Sequence, residues 1–211
     1  MKVCVIQPRY SMNCADAEAC FREMLALIDQ CDESLDLIVL PEYCDVPVAT
    51  PDGGAFRACV EKYNPVIARK AAETAKRCHA LLFANYAQKT DGGFANATHA
   101  FDREGHEIGV YLKAHPAPSE VKTQAQGGNE LDCAYSYGYA PPYVIEAEGL
   151  RIGFMTCYDF YMYESFPALA RRPANGRLSK ASLDRNGFQR LPPWQDAVRR
   201  WLADETLNSN P

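Results

Sequence analysis

Apolar runs of strand length alternate along this chain with longer segments at helical spacing, and that alternation narrows the fold more than any other feature. Leu35 to Leu40 (Leu-Asp-Leu-Ile-Val-Leu) is too short for a helix and is closed by Pro41, so it reads as a buried strand. Val3 to Gln7 reads the same way. Between the two, the segment from about Ala15 to Cys31 sets Phe21, Met24, Leu25 and Ile28 at helical spacing. A loop rich in Pro, Asp and Gly, Val46 to Gly54, leads to a second helix from about Ala55 to His79. Leu81 to Gln88, Asn96 to Phe101 and Glu107 to Lys113 are predicted strands, separated by the turns Asp91-Gly92-Gly93 and Asp102-Arg103-Glu104-Gly105. Tyr143 to Glu146 and Leu150 to Thr156 form a hairpin around Ala147-Glu148-Gly149, which delivers the chain to Cys157. A short helix is predicted from Tyr161 to Arg171. Strands alternating with helices and hairpins define an α/β layered domain.

Two stretches depart from this rhythm. Residues 114–141 hold no sustained periodicity and contain Pro116, Pro118, Gly127, Gly128 and Pro141; so long a loop in a compact domain is usually functional or mobile. From Ala174 to Pro211 the only β-branched residues are Val198 and Thr206, so no buried strand is expected there. One helix near Trp194 to Glu205 would gather Trp194, Val198, Trp201 and Leu202 on one face. The composition shift divides the chain into a domain over 1–172 and an atypical tail over 173–211.

Composition removes several function classes. The net charge of −5 comes with no basic cluster beyond pairs such as Arg171-Arg172 and Arg199-Arg200, which argues against a nucleic-acid surface. The apolar runs fall far short of the roughly 20 residues that span a bilayer, and the N-terminus enters a strand without a basic, then apolar, leader. The 9 cysteines are odd in number and include no Cys-x-x-Cys pair, so reduced thiols are expected and a zinc site has no local support. The expectation is a cytoplasmic protein with no membrane segment, no nucleic-acid partner and no metal.

Three chemically capable residues sit at strand ends: Glu42 in Leu-Pro-Glu-Tyr, Lys113 in Tyr-Leu-Lys-Ala-His, and Cys157 in Met-Thr-Cys-Tyr-Asp. Ligands of open α/β sheets bind beyond the carboxyl ends of strands. A thiol, a carboxylate and an ammonium gathered there would supply nucleophile, proton acceptor and oxyanion partner for acyl transfer. Taken singly, each has an ordinary structural explanation: a small buried hydrophobe, a strand terminator, an exposed lysine.

Taken together and in this order, the segments Ile38-to-Tyr43, Tyr111-to-His115 and Arg151-to-Asp159, the last followed by Glu164, resemble the glutamate, lysine and cysteine motifs of the nitrilase superfamily of carbon–nitrogen hydrolases. Gln7-Pro8, the Asn96-to-Phe101 strand and the Asp102-to-Gly105 turn also fit, and the resemblance covers about residues 1–172. It implies an α-β-β-α sandwich that associates as a homodimer or higher homo-oligomer, and a mechanism without metal or cofactor. By resemblance, Cys157 attacks an amide, carbamoyl or nitrile carbon, Glu42 accepts its proton, and Lys113 with the Tyr158 backbone N–H binds the oxyanion. The resemblance also implies a second glutamate in the loop after the lysine, for which Glu120 is the choice and Glu130 the competitor. Tyr158 and Phe160 are expected to line the substrate pocket, and His115 to pack or hydrogen-bond beside it.

The family pattern continues past the nucleophile helix with further strands, whereas here Arg171-Arg172-Pro173 leads to Ala174-Asn175-Gly176-Arg177. The sandwich is therefore expected to be incomplete at its C-terminal end. The resulting expectation is an amidase-type hydrolase of small amides or N-carbamoyl compounds, in preference to nitriles, working through a cysteine thioester. Transfer of the same acyl group to an amine would use identical residues. The alternative is a catalytically inactive, truncated remnant that acts as a dimerising or binding module.

Overall fold

The computed structural model describes residues 1–90, 93–117 and 143–161, all within one compact unit, Met1–Ala170. Strand β1 (Val3–Val5) precedes helix α1 (Ala17–Asp29), which a short 3-10 turn, Cys14–Asp16, introduces. Strand β2 (Leu37–Val39) leads to helix α2 (Gly53–Cys78). Strands β3 (Leu81–Thr90), β4 (Gly93–Phe101) and β5 (Glu107–Leu112) follow, and β6 (Val144–Ala147) and β7 (Leu150–Gly153) form a hairpin. A 3-10 turn over Cys157–Tyr161 ends the described chain.

The first five strands form one sheet in sequence order. β1, β2 and β3 run parallel, and β3, β4 and β5 are antiparallel. Alternation along the strands assigns each face. Ile38, Leu82, Ala84 and Tyr86 pack with Phe21, Met24 and Ile28 of α1 and with Tyr63, Ile67 and Ala71 of α2. The opposite set, Phe83, Ala100 and Tyr111, packs against Ile145 and Phe154 of the hairpin region. The described layers are therefore helices, sheet and hairpin, in keeping with the layered α/β domain expected from the sequence.

The long helix is bounded by local chemistry. Asp52 accepts the Ala55 N–H at 2.8 Å at its start, and His79 closes it in a left-handed conformation (φ 49°). Element ends differ from the sequence expectation where hydrogen bonds leave the ladder. The last hairpin strand stops at Gly153, not Thr156, because the Thr156 N–H turns to the Asp159 carboxylate. The first strand is assigned only to Val5, although the Ile6 N–H still reaches the Val39 carbonyl at 2.9 Å. The helix expected from Tyr161 to Arg171 lies outside the described residues except for Tyr161, and so does the whole 173–211 tail.

Candidate active site

Glu42 follows β2, Lys113 follows β5, and Cys157 follows the β6–β7 hairpin, so all three stand where the chain leaves a strand. Asn85 of β3 holds the first of these exits. Its side-chain oxygen accepts the Tyr43 N–H at 2.8 Å, and its carbonyl accepts the Cys44 N–H at 2.8 Å. The second exit is held by Asn96 of β4, whose carbonyl accepts the Lys113 N–H at 2.9 Å.

The side chains then meet. Lys113 Nζ donates to Glu42 Oε1 at 2.8 Å, and Asn96 Nδ2 donates to the same oxygen at 2.7 Å. Asn85 Nδ2 is shared between Asn96 Oδ1 (2.7 Å) and Thr98 Oγ1 (3.0 Å), and the Thr98 hydroxyl pairs with that of Thr156 at 3.2 Å. A continuous polar chain thus runs from Lys113 and Glu42 to the residue before Cys157, under the otherwise apolar contact between sheet and hairpin.

A cavity of about 320 Å³ opens over this chain, with Glu42, Asn85, Thr98, Phe83, Phe154 and Cys157 in its wall. Cys157 is exposed and sits at φ 48°, in the left-handed region that a non-glycine residue occupies at a cost of about 1–2 kcal/mol. Such strain clusters at functional turns. Asp159 anchors this turn with a carboxylate only 1% exposed, which accepts the Thr156 N–H, the Tyr111 O–H and the His115 N–H.

The other thiols offer less. A larger cavity of about 490 Å³ is lined by Cys4 and Cys31, but no carboxylate–amine pair faces it, and burial pushes the Cys31 thiol up to about 12. Burial, and then the Asp45 charge, pushes Cys44 up as well. A raised pKa leaves a thiol less able to act as nucleophile. Among the described residues, no group of three His, Cys, Asp or Glu side chains could hold a metal ion, and no helix is long and apolar enough to cross a membrane.

Of the residues singled out from sequence, the structure brings Glu42 and Lys113 into contact and sets Glu42 and Cys157 on one cavity. Tyr158 is half-buried and Phe160 is 59% exposed; neither is in the cavity wall. His115 is buried beside the site and touches it through its backbone N–H. Glu120, Glu130 and Glu164 lie outside the described residues. Sequence reasoning gave no role to Asn85, Asn96, Thr98, Tyr111 or Asp159, although Asn96, Tyr111 and Asp159 lie in segments that it singled out. The available signal was polar residues inside strand-length apolar runs, as in Leu-Leu-Phe-Ala-Asn-Tyr-Ala, because a buried polar group needs partners.

The family model of carbon-nitrogen hydrolases matches residues 2–203. The chain belongs to that family. Its fold is similar to that of a carbon-nitrogen hydrolase from Helicobacter pylori G27, with a TM-score of 0.58, 19% identity, and coverage of 78% of this chain and 54% of the other. It is similar as well to an amidase from Nesterenkonia sp. AN1 (TM-score 0.55, 16% identity, 80% of this chain and 61% of the other). A carbon-nitrogen hydrolase superfamily protein of Xanthomonas campestris, with an arsenic adduct in its active site, aligns at TM-score 0.51 and 18% identity, over 75% of this chain and 54% of the other. The chain thus spans between about 54% and 61% of the length of these family structures. A search of curated proteins finds no match.

Proposed function

We propose that this member of the carbon-nitrogen hydrolase family cleaves a non-peptide C–N bond of a small amide or N-carbamoyl compound, with Cys157 as nucleophile, Glu42 as general base and Lys113 as oxyanion partner. The observation that carries the reading is that Glu42, ion-paired to Lys113 at 2.8 Å, shares one cavity with the exposed thiol of Cys157. The Nesterenkonia amidase supports the choice of a thiol: a glutamate-to-glutamine mutant of it shows the result of Michael addition of acrylamide at the active-site cysteine.

The thiol proton passes to Glu42 as Cys157 Sγ bonds to the substrate carbon. The carbonyl electrons move onto oxygen, where the Lys113 ammonium and, from the family resemblance, the Tyr158 N–H stabilise them. Collapse breaks the C–N bond, and the proton held by Glu42 goes to the departing nitrogen, leaving a thioester. Glu42 then deprotonates a water that attacks the thioester carbon, and the thiolate leaves and is reprotonated. No step needs a redox partner.

Release of ammonia or amine from a panel of small amides, N-carbamoyl amino acids and nitriles tests the proposal, with Cys157→Ala as control. Turnover that survives Cys157→Ala refutes the nucleophile. A folded chain that turns over nothing in the panel supports the binding-module reading.

A further inference from the structure

We propose that Asp159 is a positioning residue that locks the Cys157 turn onto the chain segment carrying Lys113, and so sets the distance between nucleophile and cation. The inference rests on the proposed roles of Cys157 and Lys113 but assigns a group that takes no part in the bond-making steps.

The three donors that converge on Asp159 come from the two segments that must be aligned. Oδ2 accepts the N–H of Thr156, the residue before Cys157, at 2.7 Å. The same oxygen accepts the hydroxyl of Tyr111, two residues before Lys113, at 2.8 Å. Oδ1 accepts the N–H of His115, two residues after Lys113, at 2.8 Å. The Tyr111 hydroxyl in turn accepts the Ala114 N–H at 3.2 Å, so the lysine segment is gripped from both sides. Burial, reinforced by the Asp159 charge, pushes the Tyr111 hydroxyl well above its ordinary pKa, which keeps it a donor.

The clamp also holds strain in place. The Asp159 N–H returns to the Thr156 carbonyl at 3.1 Å while its carboxylate takes the Thr156 N–H, a reciprocal pair that resembles half of a capping box. Cys157 lies inside that closed turn at φ 48°. Released from it, Cys157 would relax to an ordinary φ and swing its sulfur away from the cavity wall. Only a carboxylate presents acceptors on both oxygens, so an asparagine here must turn its NH₂ toward at least one of the three donors.

The test is the pH profile of Cys157 alkylation by iodoacetamide, followed by peptide mapping on the full chain, for wild type, Asp159→Asn and Tyr111→Phe. Circular dichroism and thermal melting check the fold of each. A positioning role predicts that Asp159→Asn slows alkylation at neutral pH by about tenfold, since the thiolate is the reacting form and each unit by which its pKa rises cuts the thiolate fraction about tenfold. It also predicts an upward move of the profile midpoint as Sγ leaves the Lys113 ammonium. The sign is diagnostic, because loss of a neighbouring negative charge alone moves the midpoint downward. Tyr111→Phe changes no charge and should give a smaller slowing in the same direction. A downward or unchanged midpoint in Asp159→Asn, or an unchanged profile in Tyr111→Phe, overturns the proposal. Should Asp159→Asn fail to fold, Tyr111→Phe alone decides. Lys113→Met separates this inference from the reading beneath it. A profile insensitive to Lys113 removes the proposed site itself, whereas one that depends on Lys113 but not on Asp159 or Tyr111 removes only the clamp.

Discussion

Lys113 Nζ lies 2.8 Å from Glu42 Oε1, with the lysine side chain 2% exposed and the glutamate side chain 30% exposed. The ammonium is thus shielded from solvent, and the carboxylate faces the cavity. Asn96 also donates to Oε1, so two donors orient Glu42 through one oxygen and Oε2 takes neither bond. That asymmetry suits a base which must be held still and yet keep an oxygen for a proton.

Glu42→Gln follows from this arrangement. The amide keeps the volume, and its oxygen can still accept from Lys113 and Asn96, but it cannot take a proton. Turnover of whichever substrate the amide panel identifies should fall by about 10²–10⁴-fold, while the chain stays folded with a lowered melting temperature, because the buried Lys113 ammonium loses this counter-charge. Wild-type turnover in this variant would rule out Glu42 as the base.

The residues legible in the sequence are those that interrupt an apolar run at its end. Glu42, Lys113 and Cys157 stood out because a charged or thiol side chain follows each strand-length segment, and the strands themselves were visible as runs of buried character. Asn85 and Thr98 were not legible as partners. They face each other only because the β3–β4 register, closed by the Thr90–Gly93 pair, sets them opposite. A one-residue slip would have placed Asn85 elsewhere. Asp159 was visible only as part of a motif, since its three donors come from segments 3, 44 and 48 residues away in sequence. Side-chain networks depend on such long-range register, and local patterning does not encode it.

Strain at Cys157, the proposed nucleophile, makes a separable prediction. Cys157→Gly and Cys157→Ala both remove the thiol, but only glycine occupies φ 48° without steric penalty. Relief of about 1–2 kcal/mol, offset by roughly 0.5–1 kcal/mol of extra unfolded-state entropy, should leave the glycine variant more stable than the alanine variant by up to about 1.5 kcal/mol. Paired urea melts measure it. A less stable glycine variant would show that the turn carries no strain at this residue.

Gly109 reports on the seating of the hairpin. A Cβ there would lie 2.7 Å from Tyr143 Oη and 2.8 Å from Ile145 Cγ2. The Tyr143 hydroxyl meanwhile accepts the Val110 N–H at 2.9 Å, so it cannot retreat without losing that bond. Gly109→Ala should therefore cost about 1–3 kcal/mol by overpacking, and combined with Ile145→Ala, which removes Cγ2, it should cost less than the sum of the two single variants. Thermal melts of the single and double variants decide. A Gly109→Ala variant as stable as wild type would mean the hairpin sits farther from β5.

Asp45 predicts how stability depends on pH. The residue is 0% exposed, with Oδ2 accepting from Asn64 Nδ2 and the Ala87 N–H at 2.9 Å each and Oδ1 without a partner. Burial outweighs those bonds and pushes its carboxyl from the ordinary 3.8 up to about 6. The folded pKa exceeds the unfolded one, so between about pH 4 and pH 6 the folded chain binds more protons. The contribution of Asp45 to stability must then fall as pH rises through that window. A rise from 3.8 to about 6 corresponds to about 3 kcal/mol, fully felt above about pH 6. Asp45→Asn cannot titrate, and its amide oxygen can keep both donors. The stability of Asp45→Asn relative to wild type should therefore increase by about 3 kcal/mol between about pH 4 and pH 6, and then level off. Other groups that titrate nearby, such as His99, whose pKa burial lowers, are common to both chains and cancel in the difference. Urea midpoints of the two proteins across that range provide the measurement, and a pH-independent difference would show that Asp45 carries no unfavourable charge in the folded state.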